Sequence, residues 1–399
     1  MHDDKKIKVA YFLGALKRGG METLLLDLLR QAGEAPYEML VIYREEGNMA
    51  GLFKNEAAGR GETGKRTKLV RLTPRKGLDI LFLWRLRRLL RQEKVDIVHA
   101  QHPLEAAYAW LACLATRVKV VETLHGYDFN QTRKGHRIMR WMLRRARLNI
   151  FVSETQRGYY AKKYRLRAPE RQVVVYNGIH FAKIERGAGA TCPVEGVEEY
   201  ARPGTWLLGM VGSFVPVRDQ MTVCRFLVQL KAAGHAFHLF FVGNADTPEG
   251  EACLRYCQEN GLSNEVSFLG VRDDVPALLS RLDAFVYASH HDTFGIAVVE
   301  AIAAAVPVFV NDWEVMQEVT DNGTLAVLYK TGDEEDLLRH FLHFITQPDL
   351  YRERAAVAAT RVREQYNIRQ YVSHLYACYA RMCHRDANAG QRVPPGCHA

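Results

Sequence analysis

Asp283-Ala284-Phe285-Val286-Tyr287-Ala288-Ser289-His290-His291-Asp292-Thr293-Phe294-Gly295-Ile296-Ala297-Val298-Val299-Glu300 passes from a buried strand, through a polar loop, into an apolar helix. The helix continues through Ala301-Ile302-Ala303-Ala304-Ala305, and Pro307-Val308-Phe309-Val310 starts another strand. That order is a parallel crossover. It puts Asp292 at the carboxyl end of a strand and Glu300 two turns into the following helix, at the edge where open parallel sheets bind ligands. A helix beginning near Thr293 offers free N–H groups at Phe294, Gly295 and Ile296, backed by the positive end of its dipole. Gly295 has no Cβ to keep a phosphate from the backbone. Two carboxylates would repel that phosphate, so they suit hydroxyl groups instead. A ligand with both a diphosphate and many hydroxyls is a nucleotide sugar. The structural alternative is that Asp292 caps the helix and Glu300 lies on a solvated face.

Outward from this stretch the same alternation covers most of the chain. In the first half, strands are predicted at Ile7–Leu13, Met39–Tyr43, Leu69–Leu72, Ile97–Ala100, Val118–Thr123, Ile150–Val152 and Val173–Tyr176. Amphipathic runs such as Met21–Ala32, Asp79–Gln92 and Leu104–Thr116 separate them. In the second half, strands are predicted at Trp206–Val211, His238–Val242, Val266–Leu269, Ala284–Tyr287, Val308–Val310 and Leu325–Leu328. Apolar strands alternating with helices predict an α/β chain of two doubly wound, Rossmann-like parallel-sheet domains. Glycines at 51, 59, 61 and 64 interrupt Asn48–Lys65, which reads as a mobile loop.

The composition, 48% hydrophobic and 25% charged over 399 residues, is that of a soluble globular protein with two or three domains. The start, Met1-His2-Asp3-Asp4-Lys5-Lys6, does not read as a secretory signal, and Phe294–Val310, broken by Glu300 and Pro307, does not read as a membrane span. Eight cysteines form no C-x-x-C pair, and Cys253 and Cys257 share a helical face. We therefore expect a reducing cytoplasm and no structural metal. The net charge of +9 hides an asymmetry: residues 1–180 hold 35 Lys and Arg against 18 Asp and Glu, residues 181–399 hold 19 against 27. The basic half predicts an anionic partner, either phospholipid headgroups or nucleic acid. No nucleic-acid recognition motif accompanies the charge, so nucleic acid is not expected as a partner.

Weaker motifs lie at other strand ends. Leu16-Lys17-Arg18-Gly19-Gly20-Met21-Glu22 lets a phosphate or sugar approach a helix start, though it is not the G-x-G-x-x-G fingerprint. Arg218, in Gly212-Ser213-Phe214-Val215-Pro216-Val217-Arg218, suits a diphosphate fork or a solvated surface. Val271 and Arg272, after Val266–Gly270, offer a platform for a base. His125 follows a strand and faces either a cleft or a structural turn. His136–Leu148 carries Arg137, Arg140, Arg144 and Arg147 at helical spacing with Trp141 among its apolar residues. It suits a helix on an anionic membrane or a sheet-covering helix with a basic face. Trp84–Arg91 is a second basic stretch.

Together these pieces resemble the retaining glycosyltransferases of family 4 (glycosyl transferases group 1), which have the GT-B fold. The resemblance runs from about Lys8 to Met382 through Gly19-Gly20-Met21-Glu22, His125-Gly126, Val175-Tyr176-Asn177-Gly178-Ile179, Val242-Gly243-Asn244, Val266–Gly270, Asp292-Thr293-Phe294-Gly295 and Glu300-Ala301. It implies two domains facing across a cleft: an acceptor- and membrane-facing domain over 1–187, a linker over 188–204 and a nucleotide-sugar domain over 205–365. A helix over 366–385 returns to the first domain, and 386–399 is expected as a disordered tail. It also implies that Asp292 binds the donor sugar and Glu300 the ribose. Phe294, Gly295, Ile296, Arg218, Gly19 and Gly20 would hold the diphosphate, and His125 would face sugar and acceptor. No metal or other cofactor is implied. Three positions depart from the family: Asp292 stands for a usual Glu, Ser213 for a common Arg and Ala305 for a usual Gly.

The resulting expectation is a metal-independent, retaining hexosyltransferase, cytoplasmic and peripheral on the inner face of the plasma membrane. It would take a UDP- or GDP-sugar and act on a lipid-linked saccharide or surface polysaccharide, as in capsule or lipopolysaccharide synthesis. The alternatives are a non-catalytic binder of nucleotide sugar or anionic polymer, and a sugar-nucleotide epimerase of the same fold.

Overall fold

Strands form where the apolar runs lie, because a strand buried on both faces needs a continuous apolar sequence. The structure, a computed structural model, describes residues 6–59, 66–75, 79–129, 131–189 and 193–384. The expected tail, 386–399, lies outside the described residues. The first half of the chain runs β1 (Lys8–Ala15), α1 (Gly20–Arg30), β2 (Glu38–Glu45), α2 (Ala50–Ala57), β3 (Lys68–Arg71), α3 (Ile80–Gln92) and β4 (Ile97–Ala100). It continues with α4 (Pro103–Ala112), β5 (Lys119–Leu124), α5 (Arg133–Arg145), β6 (Leu148–Phe151), α6 (Glu154–Tyr164) and β7 (Gln172–Val174). The second half runs α7 (Ala182–Ala188), β8 (Trp206–Val211), α8 (Gln220–Ala232), β9 (Phe237–Val242), α9 (Pro248–Glu259), β10 (Val266–Phe268), α10 (Val275–Leu279) and β11 (Ala284–Tyr287). After them come α11 (Ile296–Ala303), β12 (Val308–Asn311), α12 (Glu314–Val319), β13 (Val327–Tyr329), α13 (Glu334–Thr346), α14 (Pro348–Gln365) and α15 (Ile368–His384).

The chain divides into two compact units. One holds the described residues up to Val152, Arg157–Gly178 and those from Arg369 onward; the other holds Ser153–Gln156 and Ile179–Ile368. The first unit is built on a seven-stranded parallel sheet in the order β3-β2-β1-β4-β5-β6-β7. The second is built on a six-stranded parallel sheet in the order β10-β9-β8-β11-β12-β13. Both are Rossmann-like. In each, strand order reverses once, between β1 and β4 and between β8 and β11, and that switch point opens a crevice at the carboxyl edge.

One face of the first sheet carries α3, α4 and α5, whose Phe82, Leu86, Ala106, Ala109 and Met142 join Ala10, Phe12 and Val98 in a single core. In the second unit, Cys224 of α8 and Cys257 of α9 pack with their sulfurs 3.7 Å apart, so the helical cysteine face is a packing face. Among the described residues no helix is long and apolar enough to cross a membrane.

Four expectations need correction. Part of Asn48–Lys65 is the helix α2, not a loop: Phe53 and Ala57 are buried, which outweighs the roughly 1 kcal/mol cost of helical Gly51. Residues 60–65 lie outside the described residues. The expected linker between the domains, 188–204, falls within the second unit where it is described. Val194 and Val197 are buried, and the Tyr200 ring stacks on His238 with centroids 3.5 Å apart. Trp141, expected as a membrane contact beside the arginines of α5, instead packs edge-on against Trp110, 4.9 Å between centroids, at the border of the core. Arg147 falls beyond the end of α5, where its amide bonds to the Val120 carbonyl at 2.7 Å.

Candidate functional site

The loops that leave β8 and β11 flank the switch point of the second sheet and are joined to each other. The Asp219 amide donates to the Ala288 carbonyl at 3.2 Å, and the His290 amide to the Val217 carbonyl at 2.9 Å. Arg218 and Ser289 form an antiparallel bridge between them. Asp219 then caps α8, accepting from the Thr222 amide at 3.2 Å and its hydroxyl at 2.7 Å. Ser289 is fixed from the other side, its amide donating to Asn311 Oδ1 at 3.0 Å. The two loops therefore form one rigid ledge.

Arg218 lies along that ledge with its side chain 22% exposed, and Asp292 faces it at 11%. Arg218 Nη1 donates to Asp292 Oδ2, and also to Ser289 Oγ at 3.1 Å. The Tyr287 hydroxyl donates to the same Asp292 oxygen at 2.6 Å, and the Thr293 amide donates to Oδ1 at 3.0 Å. The guanidinium also lies over the Tyr287 ring, 5.1 Å from its centroid. Among the described residues, Arg218 Nε and Nη2 take no hydrogen bond. Burial pushes the Asp292 carboxyl up, but the Arg218 charge and the hydrogen bonds of Tyr287, Arg218 and Thr293 outweigh it, so it stays below the usual carboxylate range. Burial pushes the Tyr287 phenol well up, so it remains a donor.

The helix α11 starts three residues later than Thr293. Its N-cap is Gly295, in the left-handed region at φ 81°, a conformation that favours glycine. Among the described residues the amides of Gly295, Ile296 and Ala297 meet no acceptor. Phe294 is buried and packs edge-on against Tyr366 with centroids 5.2 Å apart, so its ring anchors the loop. Glu300 sits half-buried on the second turn of α11. The second unit thus brings together Arg218, Asp292, Gly295 and Ile296.

Val271 and Arg272 lie beyond β10, at the edge of that sheet. Val271 is 54% exposed. Arg272 is turned away from solvent toward Asp274, 2.5 Å from Oδ2, and toward the Glu195 carbonyl at 3.0 Å. Ser213 is exposed. Tyr287 and Ser289 complete the site without having been singled out in the sequence. The signal was there: both sit at the carboxyl end of the strand that delivers Asp292.

In the first unit, Gly19 is the N-cap of α1 in an extended conformation, and Gly20 opens the helix. A Cβ on Gly19 would lie 2.6 Å from Glu22 Oε2, because that side chain folds back over the turn. His125 follows β5, and its Nε2 lies 2.9 Å from Gln101 Oε1. Burial, with His102 adding to it, lowers its pKa to about 3, so the imidazole is neutral. Among the described residues no group of His, Cys, Asp and Glu could hold a metal ion.

Two Rossmann-like parallel-sheet units, with an open helix start at the second switch point, constitute the GT-B fold of glycosyltransferases. The solved structure of Anabaena Alr3699/HepE in complex with UDP and glucose superposes with a TM-score of 0.79 at 18% identity, over 94% of this chain and all of that one. Residues 18–183 match the model of Glycosyltransferase Family 4, and residues 198–362 that of Glycosyl transferases group 1. The chain belongs to the family 4 glycosyltransferases. Among curated relatives, N-acetyl-alpha-D-glucosaminyl L-malate synthase of Bacillus anthracis is 23% identical over 78% of this chain and 81% of its own. The UDP-Gal:alpha-D-GlcNAc-diphosphoundecaprenol alpha-1,3-galactosyltransferase of Escherichia coli is 22% identical over 59% of this chain and 62% of its own.

Proposed function

We propose that this glycosyltransferase moves a hexose from a UDP- or GDP-sugar to a hydroxyl of a lipid-linked saccharide or surface polysaccharide, with retention and without a metal ion. One observation carries the reading: Arg218 has Nε and Nη2 to offer an anion, and the start of α11, beside its Asp292 partner, has three amides to offer it. In the reaction the bond from the anomeric carbon to the diphosphate oxygen breaks and the leaving diphosphate gains charge. The acceptor oxygen bonds to the same face of that carbon, and its proton passes to the departing phosphate oxygen. Donors aimed at the leaving group stabilise that charge as it develops. Glu300 would take the ribose hydroxyls, Gly19 and Gly20 would add diphosphate contacts, and neutral His125 would hydrogen-bond sugar or acceptor. Asp292, ionised and already hydrogen-bonded to Arg218, Tyr287 and the Thr293 amide, has no proton to give as a general acid.

A lipid-linked acceptor is supported by the outer face of the first unit and by the printed activity of the Escherichia coli relative. Arg137, Arg140 and Arg144 are exposed on α5, and α3 adds Ile80, Leu81 and Trp84, which are 73%, 50% and 54% exposed, beside Arg88 and Arg91. Basic residues with exposed large apolar side chains suit the surface of an anionic bilayer. This makes Trp84, not Trp141, the aromatic that would enter it.

Calorimetry with UDP, GDP and ADP tests the donor site. We expect one nucleotide to bind and Glu300→Ala to weaken it by about tenfold, the scale of one charge-assisted hydrogen bond. Turnover unaffected by EDTA, with an axial donor linkage kept in the product, would support the rest. If none of the three nucleotides binds, the donor-site reading is wrong.

A further inference from the structure

Asp292 is placed among polar groups that leave it little to offer a ligand. A carboxylate has about four acceptor positions. Here Oδ2 accepts from both Arg218 and Tyr287, and Oδ1 accepts from the Thr293 amide. The side chain is drawn inward, 11% exposed, against a guanidinium that is itself fixed at Ser289 and over the Tyr287 ring. Arg218 is hydrogen-bonded at one end only: Nη1 makes the side-chain hydrogen bonds, to Ser289 and Asp292, while Nε and Nη2 make none among the described residues. The backbone on both sides of the pair is stitched together as one ledge. A carboxylate that anchors one corner of a guanidinium fixes the direction in which the remaining N–H groups point. Such pre-orientation matters for a planar donor fork more than for a point charge.

We propose that Asp292 is a positioning residue that holds Arg218 toward the donor diphosphate and does not itself contact the donor sugar. Tyr287 belongs to the same device, because its hydroxyl fixes the Asp292 oxygen that Arg218 uses. The inference rests on the reading of Arg218 as a diphosphate ligand. It makes a distinct claim: the contribution of Asp292 is felt at the diphosphate and is the same whether or not a sugar is attached. An Asp292 that bound the sugar would be felt only with the sugar present.

The test compares nucleoside diphosphate with nucleotide sugar by calorimetry, using UDP with UDP-glucose and UDP-galactose, and GDP with GDP-mannose. Asp292→Asn keeps the shape and removes the charge. We expect it to shift the Kd of the diphosphate by about tenfold and that of its sugar conjugate by the same factor, leaving their ratio as in the wild type. In an Arg218→Ala background, Asp292→Asn is expected to change neither Kd, since the group it acts through is gone. Tyr287→Phe should shift both ligands together by a smaller factor, and it carries the test if Asp292→Asn fails to give the wild-type circular dichroism spectrum. A Kd for the diphosphate that stays put while the sugar conjugate weakens would overturn the proposal in favour of a direct sugar contact. So would an Asp292→Asn shift that persists without Arg218. Wild-type protein that binds none of UDP, GDP and ADP would instead overturn the donor-site reading on which the proposal rests.

Discussion

Glu122, in the middle of β5, is fully buried, and among the described residues neither carboxyl oxygen meets a hydrogen-bond donor. Burial raises its pKa from 4.5 to about 8, so the folded protein keeps it protonated. Below about pH 4.5 both folded and unfolded chains carry the proton, and the group leaves stability unchanged. Between that pH and about 8 the unfolded chain binds fewer protons than the folded one, so stability falls as pH rises, by a total on the order of a few kcal/mol. Glu122→Gln keeps the shape without a charge to lose. Urea melts at pH 5.5 and 8.5 should show a smaller loss between the two for the variant than for the wild type. An equal loss would mean that Glu122 is already ionised in the fold. The neutral histidines work on the other side: burial holds His99 and His125 at about 3, so their contribution is present above the ordinary histidine range and lost as pH falls.

At the scale of an element, α5 separates two roles that its sequence mixes. Its exposed side carries Arg137, Arg140 and Arg144, and its inner side carries Met139, Met142 and Leu143 with Trp141 at the border. Replacing the three arginines by Glu should abolish flotation with anionic liposomes while leaving the melting temperature within a few degrees, because exposed charges contribute little to stability. Trp141→Ala should do the reverse. It removes a half-buried ring from its contact with Trp110 and should cost about 2 kcal/mol, with flotation retained. Flotation of the wild type that shows no salt-sensitive binding to anionic lipid would count against membrane docking by either helix.

At the scale of the whole molecule, residues 368 positions apart meet in the first unit. Tyr379 of α15 bonds through its hydroxyl to Tyr11 of β1 at 3.0 Å and to His99 Nδ1 of β4 at 2.6 Å. Tyr11 continues to the Tyr37 hydroxyl at 2.8 Å, and His99 Nε2 to Thr123 Oγ1 at 2.6 Å. Every member of this chain is buried, so breaking it leaves polar atoms without water to replace the partner. Tyr379→Phe should therefore destabilise the protein by about 1–3 kcal/mol, seen as a lower denaturant midpoint with an unchanged slope. A midpoint equal to the wild type would show that the network adjusts without loss.

The sequence by itself determined the two parallel sheets, because strands buried on both faces must be written as continuous apolar runs. Trp206–Val211 and Ala284–Tyr287 could be bounded to the residue for that reason. It also determined the loop that carries Asp292, Gly295 and Ile296, since a strand end followed by a glycine and an apolar helix has few other readings. Helix α2 was not legible, because the glycines around it mask a short helix whose stability comes from burying Phe53. Nor was the inward place of Trp141, since spacing along a helix cannot say which neighbour a border residue will meet. Only the tertiary structure decided what Asp292 does with its oxygens. Arg218 is 74 positions away and Tyr287 five, and no periodicity records that a ledge between two strand ends brings a guanidinium, a phenol and a carboxylate within hydrogen-bonding distance.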